Sequence, residues 1–303
     1  MLDVLLPSPY SCDLVFTGLP RIPKLGDEVF SQAFKILPGA GFIPAVALTR
    51  LGLQVDWSCD FGDDFFSRYV LEEAARQNLS PHLFRVYDKP LQAVTVAYSF
   101  PHERAFLSYM DPLPPGDLTE LIRQNPSRCL LLMSLQYGPT FLETAKVAHA
   151  AGTLIFMDGQ ALGDTSLADP DVVAALKSVD IFSPNQEEAL RLTRAPGLQS
   201  AAEALAELTP TVVIKLGPVG AIAHRDGEWA RVPGISVDVA DTTGAGDNFD
   251  CGFVYGTLRG YSLVDCLRCG NYCGSHSTTM RGGWAASPTA GLLEAYLGTG
   301  QTQ

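Results

Sequence analysis

At 303 residues the chain is long for one average domain and short for two large ones, so one large domain with an appendage is the natural arrangement. Its 21 Lys and Arg against 33 Asp and Glu leave a formal charge of −12, which argues against nucleic-acid and anionic-membrane partners, both of which reward basic patches. A composition of 47% hydrophobic and 18% charged residues supplies an ample core, while no apolar run reaches the roughly 18 residues that a membrane helix needs.

In chain order, MLDVLLPSPY lacks the basic region and long apolar stretch of a signal peptide and reads as an opening strand. The seven cysteines are odd in number and scattered, so a reducing cytoplasm is the expected home. DLVFTG (13–18) and the pair LQAVTVAYSF and RAFLSYM have no helix between them, and PHE (101–103) reads as the hairpin turn of that pair. These strands, inserted from about 13–35 and 90–110, are expected to form a small antiparallel lid. From about residue 117 the pattern alternates between helical segments and continuous apolar strands such as RCLLLMSL, TLIFMD and TVVIKLG. That rhythm implies a parallel sheet covered on both faces. The expected fold class is therefore α/β: a central, mostly parallel sheet with helices on both faces plus a small antiparallel β lid, in a single domain over 1–303. Near the end, Cys266, Cys269 and Cys273 have the spacing C-x2-C-x3-C; with small residues interleaved they read as one buried helix face rather than a metal site.

In such sheets ligands bind at the carboxyl ends of strands, which singles out the loops 183–188, 216–220 and 241–247. In the last, Gly244, Ala245 and Gly246 present consecutive backbone N–H groups at a helix N-terminus, where dipole and unpaired donors favour an anion. The spacing is neither that of a Walker A loop, with no lysine following, nor G-x-G-x-x-G, so a nucleotide-dependent dehydrogenase is disfavoured. Asp247 behind this loop is either an ordinary first-turn acid or a group with a chemical task. Asn185 and Glu188, three apart at a strand-to-helix junction, would share a face; the spacing fits a capping box and does not by itself choose between that and a metal-organising pair.

The company these loops keep decides between such readings. DTTGAGDNF (241–249) resembles the second signature of the ribokinase-like (PfkB) carbohydrate kinases, and the likeness runs along the chain. DLVFTGLPRIPKLGDEVF is similar to that family's lid strand and turn, ALTRLG to its first helix, FGDDFF to its G-x-D-x-[FG] stretch, SPNQEEA to its N-x-x-E motif, and VVIKLGPVGAIA to its strand and turn beside the nucleotide. The resemblance implies ATP-dependent phosphorylation of a hydroxyl on a small sugar or sugar-like alcohol. Asp247 would be the general base and the amides of Gly244, Ala245 and Gly246 the anion hole. It further implies Mg2+ organised by Asn185 and Glu188, often through water. Lys215, Gly217 and Gly220 would contact phosphate and nucleotide, Asn271 would line the adenine pocket, and Asp241 with Thr243 would bind an activating monovalent cation such as K+. Asp13 matches the aspartate that accepts from sugar hydroxyls. A homodimer through the lid is expected, since DLVFTG would otherwise leave an exposed edge.

The acceptor element departs from the family's G-G-x-x-x-N: here Pro38 replaces the first glycine, Gly39 and Gly41 follow, and Ile43 stands where asparagine is usual. A hydroxyl left unpaired beside Ile43 would cost on the order of 1–3 kcal/mol. No Lys or Arg in this element meets a substrate phosphate, though Arg104 on the lid hairpin is placed to reach in. Tyr10, Phe42, Tyr98 and Phe106 are expected mostly in lid and core packing, and a nucleoside stays an alternative acceptor. The remaining alternative is a non-catalytic sugar- or nucleotide-binding relative.

Overall fold

The computed structural model describes residues 1–100, 104–112, 116–161 and 163–299. The chain runs β1 (Leu2–Pro7), β2 (Tyr10–Thr17), β3 (Ala33–Ala40), α1 (Phe42–Arg50), β4 (Val55–Phe61), α2 (Phe65–Arg76), β5 (Phe84–Val86), β6 (Ala93–Ser99) and β7 (Arg104–Met110). Then come α3 (Leu118–Gln124), β8 (Ser127–Leu132), α4 (Pro139–Ala150), β9 (Leu154–Asp158), α5 (Pro170–Leu176), β10 (Ile181–Ser183), α6 (Gln186–Thr193), α7 (Leu198–Ala206) and β11 (Thr211–Lys215). A hairpin of β12 (Gly220–Arg225) and β13 (Glu228–Pro233) precedes α8 (Ala245–Leu258), α9 (Leu263–Ser277) and α10 (Ala290–Thr299).

Nine strands form the large sheet in the order β13-β12-β11-β10-β9-β8-β1-β4-β5, parallel from β11 to β5 and antiparallel at the β11–β12–β13 edge. The apolar runs are continuous because both faces are covered: Leu131 and Phe156 join Val4 and Leu6 in one core. Their strand neighbours Leu130, Leu132, Ile155 and Met157 turn with Leu5 into the other. Among the described residues no helix is long and apolar enough to cross a membrane.

The four-stranded second sheet, β3-β2-β6-β7, is antiparallel except for the β2–β6 pair. β3 was not anticipated. AFKILPGA carries a proline and half of it is exposed, so neither periodicity nor composition marks it; it holds as a strand because it lies at the sheet edge, where Pro38 loses no ladder partner. Its register sets Gly39 against Ser11 and Leu37 against Asp13. The turn expected at 101–103 lies outside the described residues.

Two helices place the chemistry. α8 and α9 approach closely through the small face foreseen in the sequence: a Cβ on Gly252 would lie 2.5 Å from the Cys269 carbonyl oxygen. Cys266, Cys269 and Cys273 are buried there, and all seven cysteines are unpaired. No group of three or more His, Cys, Asp or Glu able to hold a metal is present among the described residues.

Candidate active site

The loop before α8 is held by steric necessity. Gly244, the N-cap, has φ 67°, and a Cβ on it would meet Ile43 Cγ2 at 2.9 Å and Gly283 at 3.0 Å. Only glycine satisfies both constraints. Its carbonyl accepts from Asn248 Nδ2 (2.8 Å), and the same amide nitrogen donates to the Gly283 carbonyl (2.7 Å). Ser287 Oγ donates to Asn248 Oδ1 (2.6 Å), so this fully buried amide spends its donors and acceptor on fixing the loop. On the entering side, Asp241 Oδ1 accepts from the Thr243 amide (2.9 Å) and hydroxyl (2.8 Å), and Oδ2 accepts from the Gly282 amide (3.1 Å). The turn is thus locked before the helix begins.

Two cavities meet at this loop. The first, about 580 Å³, is lined by Asp13, Ile43, Asn185, Glu188, Thr243, Gly244 and Asp247, with Asp158 in its wall. The second, about 520 Å³, is lined by Gly220, Asn271 and an apolar group including Ile235, Val237, Val239 and Phe249. Lys215, Gly217, Thr242, Ala245 and Gly246 line both and form the boundary, whereas Asp247 faces only the first. Gly39 and Gly41 stand behind the wall that Ala40 forms. A Cβ on Gly39 would lie 2.5 Å from Asp13 Oδ2, and one on Gly41 2.7 Å from Trp57 Nε1, so both allow close backbone approach. Arg104 opens β7, but its side chain is outside the described residues. None of the four aromatics lines the first cavity. Tyr10 stacks on Phe61, Phe42 on the edges of Trp57 and Trp284, Tyr98 on Phe16, and Phe106 is exposed on the lid.

The boundary lysine is strongly constrained. Lys215 Nζ donates to Asp158 Oδ2 (2.5 Å) and Asp250 Oδ2 (2.9 Å), which uses two of its three donor protons, and the residue lines both cavities. Burial alone would lower its pKa, but the two carboxylates outweigh that and hold it above the usual lysine value. Asp250 is itself fully buried and accepts from Ser183 Oγ (2.6 Å). Burial, reinforced by Asp158 and opposed by Lys215, pushes Asp247 from 3.8 up to about 7. Glu188 is raised by burial and by Asp158. Burial also raises Asp13, with Asp241 adding to it, although Ser11 Oγ donates to Asp13 Oδ1 (2.7 Å).

Asn185 and Glu188 make a complete capping box. Asn185 Oδ1 accepts from the Glu188 amide (2.9 Å) and Glu188 Oε2 from the Asn185 amide (2.8 Å). The cap uses one carboxylate oxygen of Glu188, and its residue still lines the first cavity. Asn271 donates to the carbonyls of Val232 (3.1 Å) and Pro233 (3.0 Å), shaping the second cavity by holding the end of β13.

Asp158, Asp250, Asn248 and Ser183 escaped the sequence reading. Their only signal is a polar residue at the end of, or within, an otherwise apolar run: IFMD for Asp158, NFDCGF for Asn248 and Asp250. The sequence offers no cue that β9, β10, β11 and α8 converge.

Comparison with known proteins bears on the fold and the family. A Haemophilus influenzae ribokinase is 28% identical over 291 residues, covering 90% of this chain and 91% of its own. The structure of Arabidopsis thaliana ribokinase complexed with ribose and ATP superposes with a TM-score of 0.82 at 22% identity, covering 98% of this chain and 99% of that one. A Methanocaldococcus jannaschii nucleoside kinase, a member of the ribokinase family, has a TM-score of 0.81 at 17% identity, covering 99% of each chain. The model of the pfkB family carbohydrate kinases matches residues 38–290, and the chain belongs to that family.

Proposed function

We propose that this phosphotransferase moves the terminal phosphoryl group of ATP onto a hydroxyl of a small sugar, with Asp247 as general base. The observation that carries the reading is the asymmetry of the loop: Ala245 and Gly246 border both cavities, whereas Gly244 and Asp247 face only the first. The half-apolar second cavity suits a nucleobase and ribose, and the polar first cavity suits a polyol. Asp247 takes the proton of the acceptor hydroxyl as its oxygen attacks the phosphoryl group, and the Gly244, Ala245 and Gly246 amides with Lys215 stabilise the charge that develops. A base ionising near pH 7 is matched to that task. With no aromatic ring on its described lining, the first cavity favours a sugar over a nucleoside.

Asp13, Asp158, Glu188 and Asp247 surround a single lysine, a field that repels a polyphosphate unless a divalent cation comes with it. Asn185 and Glu188, with Asp158 in the same cavity wall, are the residues that would organise Mg2+; their oxygens are too few to hold it alone, so the ion is expected to arrive with the nucleotide and keep much of its water. Its chemistry there is to neutralise phosphate charge. K+ is assigned to the oxygen-rich turn of Asp241 and Thr243. A second copy of the chain is assigned to the lid, where Phe34, Phe106, Leu107 and Tyr109 are exposed, and a reducing compartment would keep the seven thiols unpaired.

The test is ADP release with ATP, Mg2+ and K+ across sugars, sugar acids, sugar phosphates and nucleosides. One sugar is expected to stand far above the background rate of ATP hydrolysis. ATP binding with no acceptor stimulated would sink the reading.

A further inference from the structure

Asp250 is the one charged residue in a stretch of α8, Asn248 to Gly256, that is buried throughout. Stability alone does not account for it, because apolar side chains of similar volume serve as well as a buried ion pair or better. Its contacts suggest another reason. Ser183 Oγ donates to Asp250 Oδ1 (2.6 Å) and Lys215 Nζ to Asp250 Oδ2 (2.9 Å), so each oxygen has a partner. Lys215 Nζ also donates to Asp158 Oδ2 (2.5 Å), whose Oδ1 accepts from the Gln160 amide (2.7 Å). Asp158, Ser183 and Lys215 are the last residues of β9, β10 and β11, three neighbours in the large sheet, and Asp250 ties them to α8. That helix begins at the anion loop and carries Asp247 three residues before Asp250, on the same face. A Cβ on Gly246 would lie 3.7 Å from Lys215 Nζ, so the ammonium stands beside the loop.

Resting on the kinase reading, we propose that Asp250, supported by Ser183, is a positioning residue that fixes the Lys215 ammonium at the boundary the phosphoryl group crosses. A lysine head is a strongly hydrated point charge on a flexible four-carbon stem, and one carboxylate leaves it free to swing. Engaged from both β9 and α8, the ammonium keeps one place relative to the loop and to Asp247, because loop, base and Asp250 belong to one rigid helix. A charge held in place before the reaction acts on the transition state, so its loss falls on kcat and leaves the KM of the acceptor nearly unchanged.

The test measures kcat and acceptor KM, per folded molecule, for Asp250→Asn, Ser183→Ala, Lys215→Met and the double variant of Asp250→Asn with Lys215→Met. Asp250→Asn, which keeps the shape and removes the charge, is expected to lower kcat about tenfold, and Lys215→Met about a hundredfold. Ser183→Ala should fall a few-fold in the same direction, roughly the effect of losing one supporting hydrogen bond. The double variant should be no slower than Lys215→Met alone, since Asp250 acts through the lysine. Losses that multiply in the double variant, or an Asp250→Asn enzyme with lower Tm and wild-type kcat, would mark a purely structural residue and overturn the proposal. A second measurement needs no turnover: acetylation of each lysine by acetic anhydride, followed by peptide mass spectrometry. Asp250 is among the groups that hold the lysine pKa up, so its removal exposes more free amine. Asp250→Asn should speed acetylation of Lys215 about tenfold and leave exposed Lys146 unchanged, whereas equal Lys215 rates would overturn the proposal. If no acceptor in the panel turns over, the kinase reading fails, and the acetylation rates alone decide whether Asp250 holds Lys215.

Discussion

Asp247 illustrates how its surroundings shift the ionisation of one carboxylate. Burial and Asp158 raise its pKa from 3.8 to about 7, with Lys215 opposing. If it acts as base, kcat/KM should climb tenfold per pH unit below about 7 and level off above it, read from initial rates across pH. The stability consequence has a defined sign. Because the folded value lies above the unfolded one, the protonated carboxyl contributes stability that is complete below 3.8 and is lost as pH rises through about 7. Asp247→Asn should therefore flatten the decline of Tm over that window. The two loop glycines next to it differ in what they tolerate. Gly244→Ala places a methyl against Ile43 and Gly283 at positive φ, and should lose about 1–3 kcal/mol of stability in denaturant titration together with most turnover. Gly246→Ala meets only Lys215 Nζ at 3.7 Å and should fold normally. Ile43, read from sequence as an acceptor-facing change, lines the first cavity, and its methyls also brace Gly244 and Gly283 while it stays almost wholly buried.

At the scale of elements, what could be read from the sequence followed from periodicity and local turn chemistry. The parallel strands, the capping box at Asn185 and the cysteine face of α9 were all legible because each is encoded within a dozen residues. β3 was not, since an exposed edge strand ending in PGA carries neither alternation nor an apolar run. Nor was the Lys215, Asp158 and Asp250 cluster, whose members come from three elements brought together by the sheet order alone. The α8–α9 contact is the element most sensitive to volume. Gly252→Val should force the helices apart at the Cys269 carbonyl and cost about 1–3 kcal/mol, measured as a lower denaturant midpoint, and should lower turnover by shifting the loop that α8 begins.

For the whole molecule, the large sheet brings the phosphate loop, the boundary lysine and the acidic residues to one edge, while the lid sheet brings Asp13 over the same cavity. On the proposed function, the charge of −12 and the acidic first cavity would make cation-assisted nucleotide binding a condition for activity. That division of labour, amides and lysine for the phosphate and Asp247 for the acceptor, is the central claim. It is tested most directly by measuring kcat and ATP affinity together for wild type and Asp247→Asn with the best acceptor. The account predicts ATP affinity within a few-fold and kcat lower by about 10²–10⁴, the usual contribution of a positioned base. An Asp247→Asn enzyme with wild-type kcat would contradict it.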